Sequence, residues 1–149
     1  MRLRVAATIL GAVSVSACAL LPMKPSARVD ENAPAAVAGR ISLPSCGVEQ
    51  SGQGGPYDEV ARACFWGAYE DRRPAEFISS RPTTEGDPIT WIYRVLPDGS
   101  VEVFIDSTRD TYGSGVWSHA RCRTLARQMG GGIATDFGPD DTCVFEDLP

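Results

Sequence analysis

Ile89-Thr90-Trp91-Ile92-Tyr93-Arg94-Val95-Leu96, then Pro97-Asp98-Gly99-Ser100, then Val101-Glu102-Val103-Phe104-Ile105-Asp106, is the stretch that decides the fold. Side chains alternate along a strand, so Ile89, Trp91, Tyr93 and Val95 share one face while Thr90, Ile92, Arg94 and Leu96 share the other. Val101, Val103 and Ile105 alternate in the same way with Glu102, Phe104 and Asp106. Between the runs, proline presets φ and glycine accepts a positive φ, which is the chemistry of a tight turn. The pattern predicts two half-buried strands joined as a hairpin.

Working outward, residues 76–84 predict a preceding strand, with Pro82 confining its end to an edge or a bulge. Before it, a helix is expected from Pro56, because proline suits the first helical position and Asp58 and Glu59 place negative charge at the positive end of the helix dipole. Tyr57, Val60, Ala61, Cys64 and Ala68 recur at helical spacing and predict one buried stripe, with Phe65 and Trp66 at its edge. Arg72-Arg73-Pro74 ends that helix. The glycine-rich run Ser51-Gly52-Gln53-Gly54-Gly55-Pro56 lacks the G-K-[ST] ending of a phosphate loop and is expected to be a turn.

After the hairpin, Ser118 as a cap followed by Cys122, Leu125, Ala126 and Met129 predicts a second helix, stopped by three glycines at 130–132. Arg121, Arg123 and Arg127 fall on its other side. A short strand is expected within residues 142–145. The expected fold class is α+β: a small antiparallel sheet of three to four strands packed with two helices and stapled by two disulfides.

The chain of 149 residues carries 14 basic and 19 acidic residues, a net charge of −5. That length suits one small domain. An acidic chain with no basic run excludes nucleic acid as a partner, because phosphate neutralisation needs clustered cations. Arg2 and Arg4 precede the apolar and small residues 5–17, a secretory pattern too short for a bilayer span of about 20 residues. Val15-Ser16-Ala17-Cys18 resembles the bacterial lipobox. The resemblance implies cleavage before Cys18 and lipidation of its thiol. Residues 1–17 are thus expected to be a lipoprotein signal peptide, 18–44 a flexible tether and 45–149 the globular domain.

Setting Cys18 aside leaves Cys46, Cys64, Cys122 and Cys143, the number that two disulfides need in an oxidising compartment. Three pairings are possible, and the sequence-local one, Cys46–Cys64 with Cys122–Cys143, is expected. The absence of close C-x-x-C pairs argues against a zinc site. No metal and no cofactor are expected.

Thr83-Thr84-Glu85-Gly86-Asp87-Pro88-Ile89, followed by the hairpin and by Asp106-Ser107-Thr108-Arg109-Asp110-Thr111-Tyr112-Gly113 with Cys122 downstream, resembles a group of small bacterial lipoproteins. The resemblance implies localisation and fold and brings no activity with it. Glu85, Asp87, Asp106 and Asp110, with Trp91, Tyr93 and Trp117 near them, form the candidate binding surface at one sheet edge. Asp106-x-Thr108-x-Asp110 copies the opening of a calcium loop, but Thr111 and Trp117 stand where that loop needs glycine and glutamate. Side-chain to backbone bonds in turns are the simpler role for these carboxylates. His119 is the single histidine, no nucleophile elbow precedes it, and no catalytic residue is assigned. The expected function is a non-catalytic binding or structural module of the cell envelope, on the membrane through its lipid and facing an envelope protein or polymer. The alternatives are a carboxylate-dependent hydrolase of envelope polymers, with Glu85 or Asp87 as acid and base, and a cation-binding lipoprotein.

Overall fold

The computed structural model describes residues 32–130 and 133–149. Its elements are α1 (Ala35–Ala38), β1 (Ser45–Gln50), α2 (Glu59–Glu70), β2 (Ala75–Pro82), β3 (Pro88–Val95), β4 (Val101–Asp106), β5 (Trp117–Cys122), β6 (Leu125–Gly130), β7 (Ile133–Pro139) and β8 (Val144–Leu148). Six strands form one sheet in the order β1-β2-β3-β4-β5-β8, and β6 pairs with β7 as a separate hairpin. Cys46 is bonded to Cys64 and Cys122 to Cys143, so the sequence-local pairing holds. The fold is α+β, and the expected hairpin is present: Val95 faces Val101, Thr90 faces Asp106, and Gly99 takes φ 79° in the turn.

The sheet corrects the sequence expectation in two ways. It is wider than three or four strands, and it is mixed, because β1 runs parallel to β2 while every other pair is antiparallel. The unit β1-α2-β2 supplies the crossover that a parallel pair requires. Strand β1 escapes an apolar pattern because its one buried residue is Glu49. A further correction is that, among the described residues, no helix follows Trp117. Residues 118–129 contribute instead to β5 and β6. Trp117 and His119 point to one face of the sheet and Ala120 and Cys122 are buried too, so polar His119 hides a period of two behind a chance helical spacing. Thr124 breaks the run: its hydroxyl donates to Asp140 Oδ2 at 2.7 Å and its N–H to Thr142 Oγ1 at 3.1 Å. Residues 131 and 132 of the glycine run lie outside the described residues. The last strand begins at Val144, slightly later than expected.

One face of the sheet packs against α2 and the β6-β7 hairpin. Phe77, Tyr93, Val103 and Ala120 form a row across four strands, covered by Phe65 and Phe137. Asp58 caps α2 by accepting from the Ala61 N–H at 2.9 Å. The helix is rolled relative to the expected stripe: Ala61, Arg62, Phe65 and Ala68 are buried, whereas Val60 is 83% exposed and Cys64 is exposed. Burying Phe65 decides the roll, since its ring lies 5.2 Å from Phe137, 5.9 Å from Tyr93 and 6.1 Å from Phe77. Aromatic burial of this size outweighs the gain from Val60.

The opposite face carries Ile78, Ile92, Phe104 and Trp117, and residues 33–44 cover it. Val37 is 0% exposed among these four. Arg40 Nε reaches Glu76 Oε2 at 3.0 Å, Arg94 bridges Glu76, Glu102 and the Ile41 carbonyl, and the Glu76 N–H donates to the Pro44 carbonyl at 2.8 Å. Residues 33–44, the last dozen of the expected tether, thus lie against the sheet and shield its apolar surface. The signal peptide, Cys18 and the rest of the tether lie outside the described residues.

Replacing Val37 by Ala removes two methyl groups from a closed site and is expected to cost about 2 kcal/mol in urea unfolding. Ala36→Ser, on the exposed side of the same turn, should change stability by less than about 0.5 kcal/mol. Equal effects would show that residues 33–44 do not seal this face.

Candidate functional site

The carboxylates expected to form a binding surface mostly build loops. In the β2-β3 turn the Thr83 N–H donates to the Asp87 carbonyl at 2.8 Å and the Asp87 N–H to Thr83 Oγ1 at 3.2 Å. Asp87 Oδ2 accepts from the Thr111 N–H at 2.8 Å, which ties this turn to the β4-β5 loop. Asp106, 8% exposed, accepts from the N–H and hydroxyl of Thr108. Asp110 accepts from the N–H groups of Tyr112 and Gly113 at 3.1 and 3.0 Å. Glu85 is exposed in the turn. Among the described residues no group of three His, Cys, Asp or Glu side chains is placed to hold a metal ion.

The three aromatic candidates separate. Tyr93 is 3% exposed in the core under α2, its hydroxyl donating to the Phe137 carbonyl at 3.3 Å. Trp117 is 6% exposed on the opposite face. Trp91 shares Tyr93's face but lies two residues nearer the sheet end, where it is half-buried. The structure thus joins the loops of Asp87 and Asp110 without bringing Tyr93 or Trp117 to the surface. His119 stacks on Phe104 at 4.5 Å, with Nδ1 at 2.9 Å from Glu146 Oε1 and Nε2 at 3.1 Å from Glu102 Oε2.

A groove of about 450 Å³ opens at Trp91, between the glycine-rich loop 51–55 and the β2-β3 turn. Two strands supply its floor: Arg81 on β2 and Trp91 on β3 project to the same face. The loop is clasped to the turn by Gln53, whose Nε2 donates to the Thr83 carbonyl at 2.8 Å and to the Thr84 carbonyl. Gly54 at φ 64° lets the loop turn back over the groove. Arg81 Nη1 donates to the Tyr57 hydroxyl at 2.9 Å, and its guanidinium carbon lies 5.1 Å from the Tyr57 ring centroid and 5.6 Å from that of Trp91.

Behind the groove stands a buried ion pair. Glu49 Oε2 accepts from Arg62 Nε at 2.7 Å and from the Asp58 N–H at 2.8 Å, while Oε1 accepts from Arg62 Nη2 at 2.6 Å and from Ser79 Oγ at 2.8 Å. Burial opposes the Glu49 charge, yet the bonds from Arg62, Ser79 and the Asp58 N–H together hold its carboxyl below the ordinary value of 4.5. Arg62 lies 4.2 Å from the Tyr57 ring centroid, so Tyr57 is held between Arg62 and Arg81. The chain of contacts from Glu49 through Arg62, Tyr57 and Arg81 to Trp91 connects the core to the groove floor.

Sequence reasoning did not find Gln53, Tyr57 and Arg81 as a site. The available signals were the glycine-rich loop and two arginines, Arg62 within the apolar side of a helix and Arg81 on the inward register of a strand. The groove offers one guanidinium, an indole, hydroxyls, an amide and backbone groups. Among the described lining residues there is no carboxylate, histidine or thiol.

Glu49→Gln leaves Arg62 buried without its counter-charge and is expected to cost about 3 kcal/mol. Because the folded carboxyl titrates below its unfolded value, its stabilisation is complete above pH 4.5 and is lost as pH falls through the folded value. Urea unfolding between neutral and acid pH should therefore show a loss of stability that is smaller in the variant. Parallel pH profiles for the two proteins would rule out this role for Glu49.

No protein-family model, curated protein or solved structure matches the chain.

Proposed function

We propose that the protein is a lipid-anchored, non-catalytic binding module of the bacterial cell envelope, and that it holds an envelope polymer in the groove framed by Gln53, Tyr57, Arg81 and Trp91. The groove is the observation that carries this: an aromatic and cationic floor, fixed from behind by a buried ion pair, under a clasped loop. Such pre-organisation reduces the entropy lost on binding. The lipobox at residues 15–18 and the two disulfides support an extracytoplasmic location.

An anchor at Cys18 would hold the domain close to the bilayer. Fourteen Cα-to-Cα steps separate Cys18 from Asn32, a reach of about 50 Å when fully extended. Two acyl chains on that cysteine suffice for stable attachment. Asp87, Asp106 and Asp110 accept backbone hydrogen bonds in turns and loops and Glu85 is exposed in the β2-β3 turn, so binding in the groove makes the fuller use of the observed geometry.

Intact mass of the full chain extracted from bacterial membranes should give a product beginning at Cys18 and carrying acyl chains. An unlipidated product would remove the anchor from the proposal. Soluble cell-wall fragments titrated into the full chain should change its tryptophan fluorescence, and Trp91→Phe should abolish the change while Trp66 and Trp117 remain. A response unaltered in that variant would place binding elsewhere, and no response in the parent would refute it.

A further inference from the structure

We propose that His119 is a pH-operated latch for β8: protonated, it ties the strand to the sheet through Glu146, and on losing a proton it lets that tie go. The ring lies between two carboxylates. Nδ1 is 2.9 Å from Glu146 Oε1, and Nε2 is 3.1 Å from Glu102 Oε2. An ionised carboxylate only accepts, so each contact needs an N–H on the ring. The imidazolium has two, whereas the neutral ring has one and turns a lone pair toward the other carboxylate. One contact is therefore a hydrogen bond in one protonation state and a repulsion in the other.

Packing keeps the ring in place. His119 is buried and stacks on Phe104 with 15° between the ring planes, so it cannot swing aside without breaking that stack. The register holds both partners, because His119 on β5 stands opposite Glu146 of β8 and Phe104 of β4, and Glu102 follows two residues from Phe104 on the same face. The surrounding charges decide which contact yields. The Glu102 side chain is 14% exposed and also accepts from Arg94, which bonds Glu76 in turn, and Arg40 reaches Glu76 from the covering segment. The Glu146 side chain is 59% exposed, with the charge of Arg121 nearby. A carboxylate open to water replaces a lost donor with solvent, and a buried one does not. The single N–H of the neutral ring therefore stays on Nε2 toward Glu102, and Glu146 is released. The hydrogen bond from His119, with the charges of His119 and Arg121, holds the Glu146 carboxyl below its ordinary value of 4.5 and keeps it ionised while the ring titrates.

Strand β8 is placed to respond. It lies at one edge of the six-stranded sheet, pairs with β5, and carries exposed Val144 and Phe145. The Cys122–Cys143 bond staples the residue just before it, so its start is held at any pH. Glu146, Asp147 and Leu148 lie beyond that staple, and the contact from His119 ties this stretch to β5. Edge segments with few buried contacts open locally without unfolding the rest of the chain.

Amide hydrogen exchange on the full chain, followed by NMR between about pH 5 and 8 and corrected for the intrinsic exchange rate at each pH, tests the latch against the titration of the single histidine ring. Protection of the β8 amides bonded to β5 should fall about two- to fivefold as the ring loses its proton, the range of a partly exposed ion pair, while β3 amides hold theirs. The ring nitrogen shifts should place the remaining proton on Nε2. Glu146→Gln changes an exposed side chain, and its amide can accept from the N–H or donate to the lone pair, so the fold should persist and the pH dependence should vanish. Asp147→Asn removes the same charge from the opposite face of β8 and should keep the dependence. Protection that stays flat while the ring titrates would overturn the latch, as would an equal loss in β3. A dependence that survives Glu146→Gln or disappears in Asp147→Asn would do the same. A proton retained on Nδ1 would overturn the release of Glu146.

Discussion

The pairing of Glu49 with Arg62 is the interaction on which the rest of the arrangement depends. Neither charge tolerates burial alone, and each is buried, so the geometry that joins them is obligatory. Glu49 belongs to β1, Arg62 to α2 and Ser79 to β2, and the Asp58 N–H at the start of the helix completes the set. One carboxylate thereby fixes three elements that follow one another in the chain. The Cys46–Cys64 bond joins the same strand and helix. The parallel placement of β1, the roll of α2 that buries Phe65, and the position of Tyr57 under Arg81 all agree with that single constraint.

The opposite face of the sheet repeats the solution with other residues. Arg94 lies on the central strand β3, almost wholly buried, and meets Glu76 from β2 and Glu102 from β4, while Arg40 reaches Glu76 from the covering segment. His119 extends the row from Glu102 to Glu146. A small domain with a limited apolar core thus admits charged residues into both layers, each satisfied by partners on neighbouring elements. Such networks bring directional specificity where apolar packing alone would allow sliding.

The hairpin was legible because its alternation is strictly apolar on one face and its turn residues each have a conformational reason to be there. The presence of α2 was legible from the acidic pair Asp58 and Glu59 near its start and from its terminating proline, and the disulfide pairing from proximity in sequence. The roll of α2 was not, because apolar counting excludes Arg62 and promotes Val60. Strand β1 and strand β5 were hidden for the same reason: Glu49 and His119 stand at inward positions that a hydrophobic pattern scores as outward. Single carboxylates such as Asp87 could be seen, but its acceptance of the Thr111 N–H joins positions 24 apart. The groove draws on residues 53, 57, 81 and 91, and only the parallel crossover brings them together; no local pattern contains it.

The segment at 33–44 has a topological consequence. The site that receives Val37 is made by Ile78, Ile92, Phe104 and Trp117, all of which follow it in the chain by more than forty residues. It cannot dock until strands β2 to β5 have assembled. For a chain held at Cys18, as proposed, folding therefore shortens the leash. The 26 Cα-to-Cα steps from Cys18 to Pro44 could span at most about 90 Å, and the 14 steps to Asn32 at most about 50 Å. With the proposed anchor at Cys18, completion of the sheet would draw the domain toward the bilayer, and the stand-off from the membrane would be a property of the folded state rather than of linker length alone.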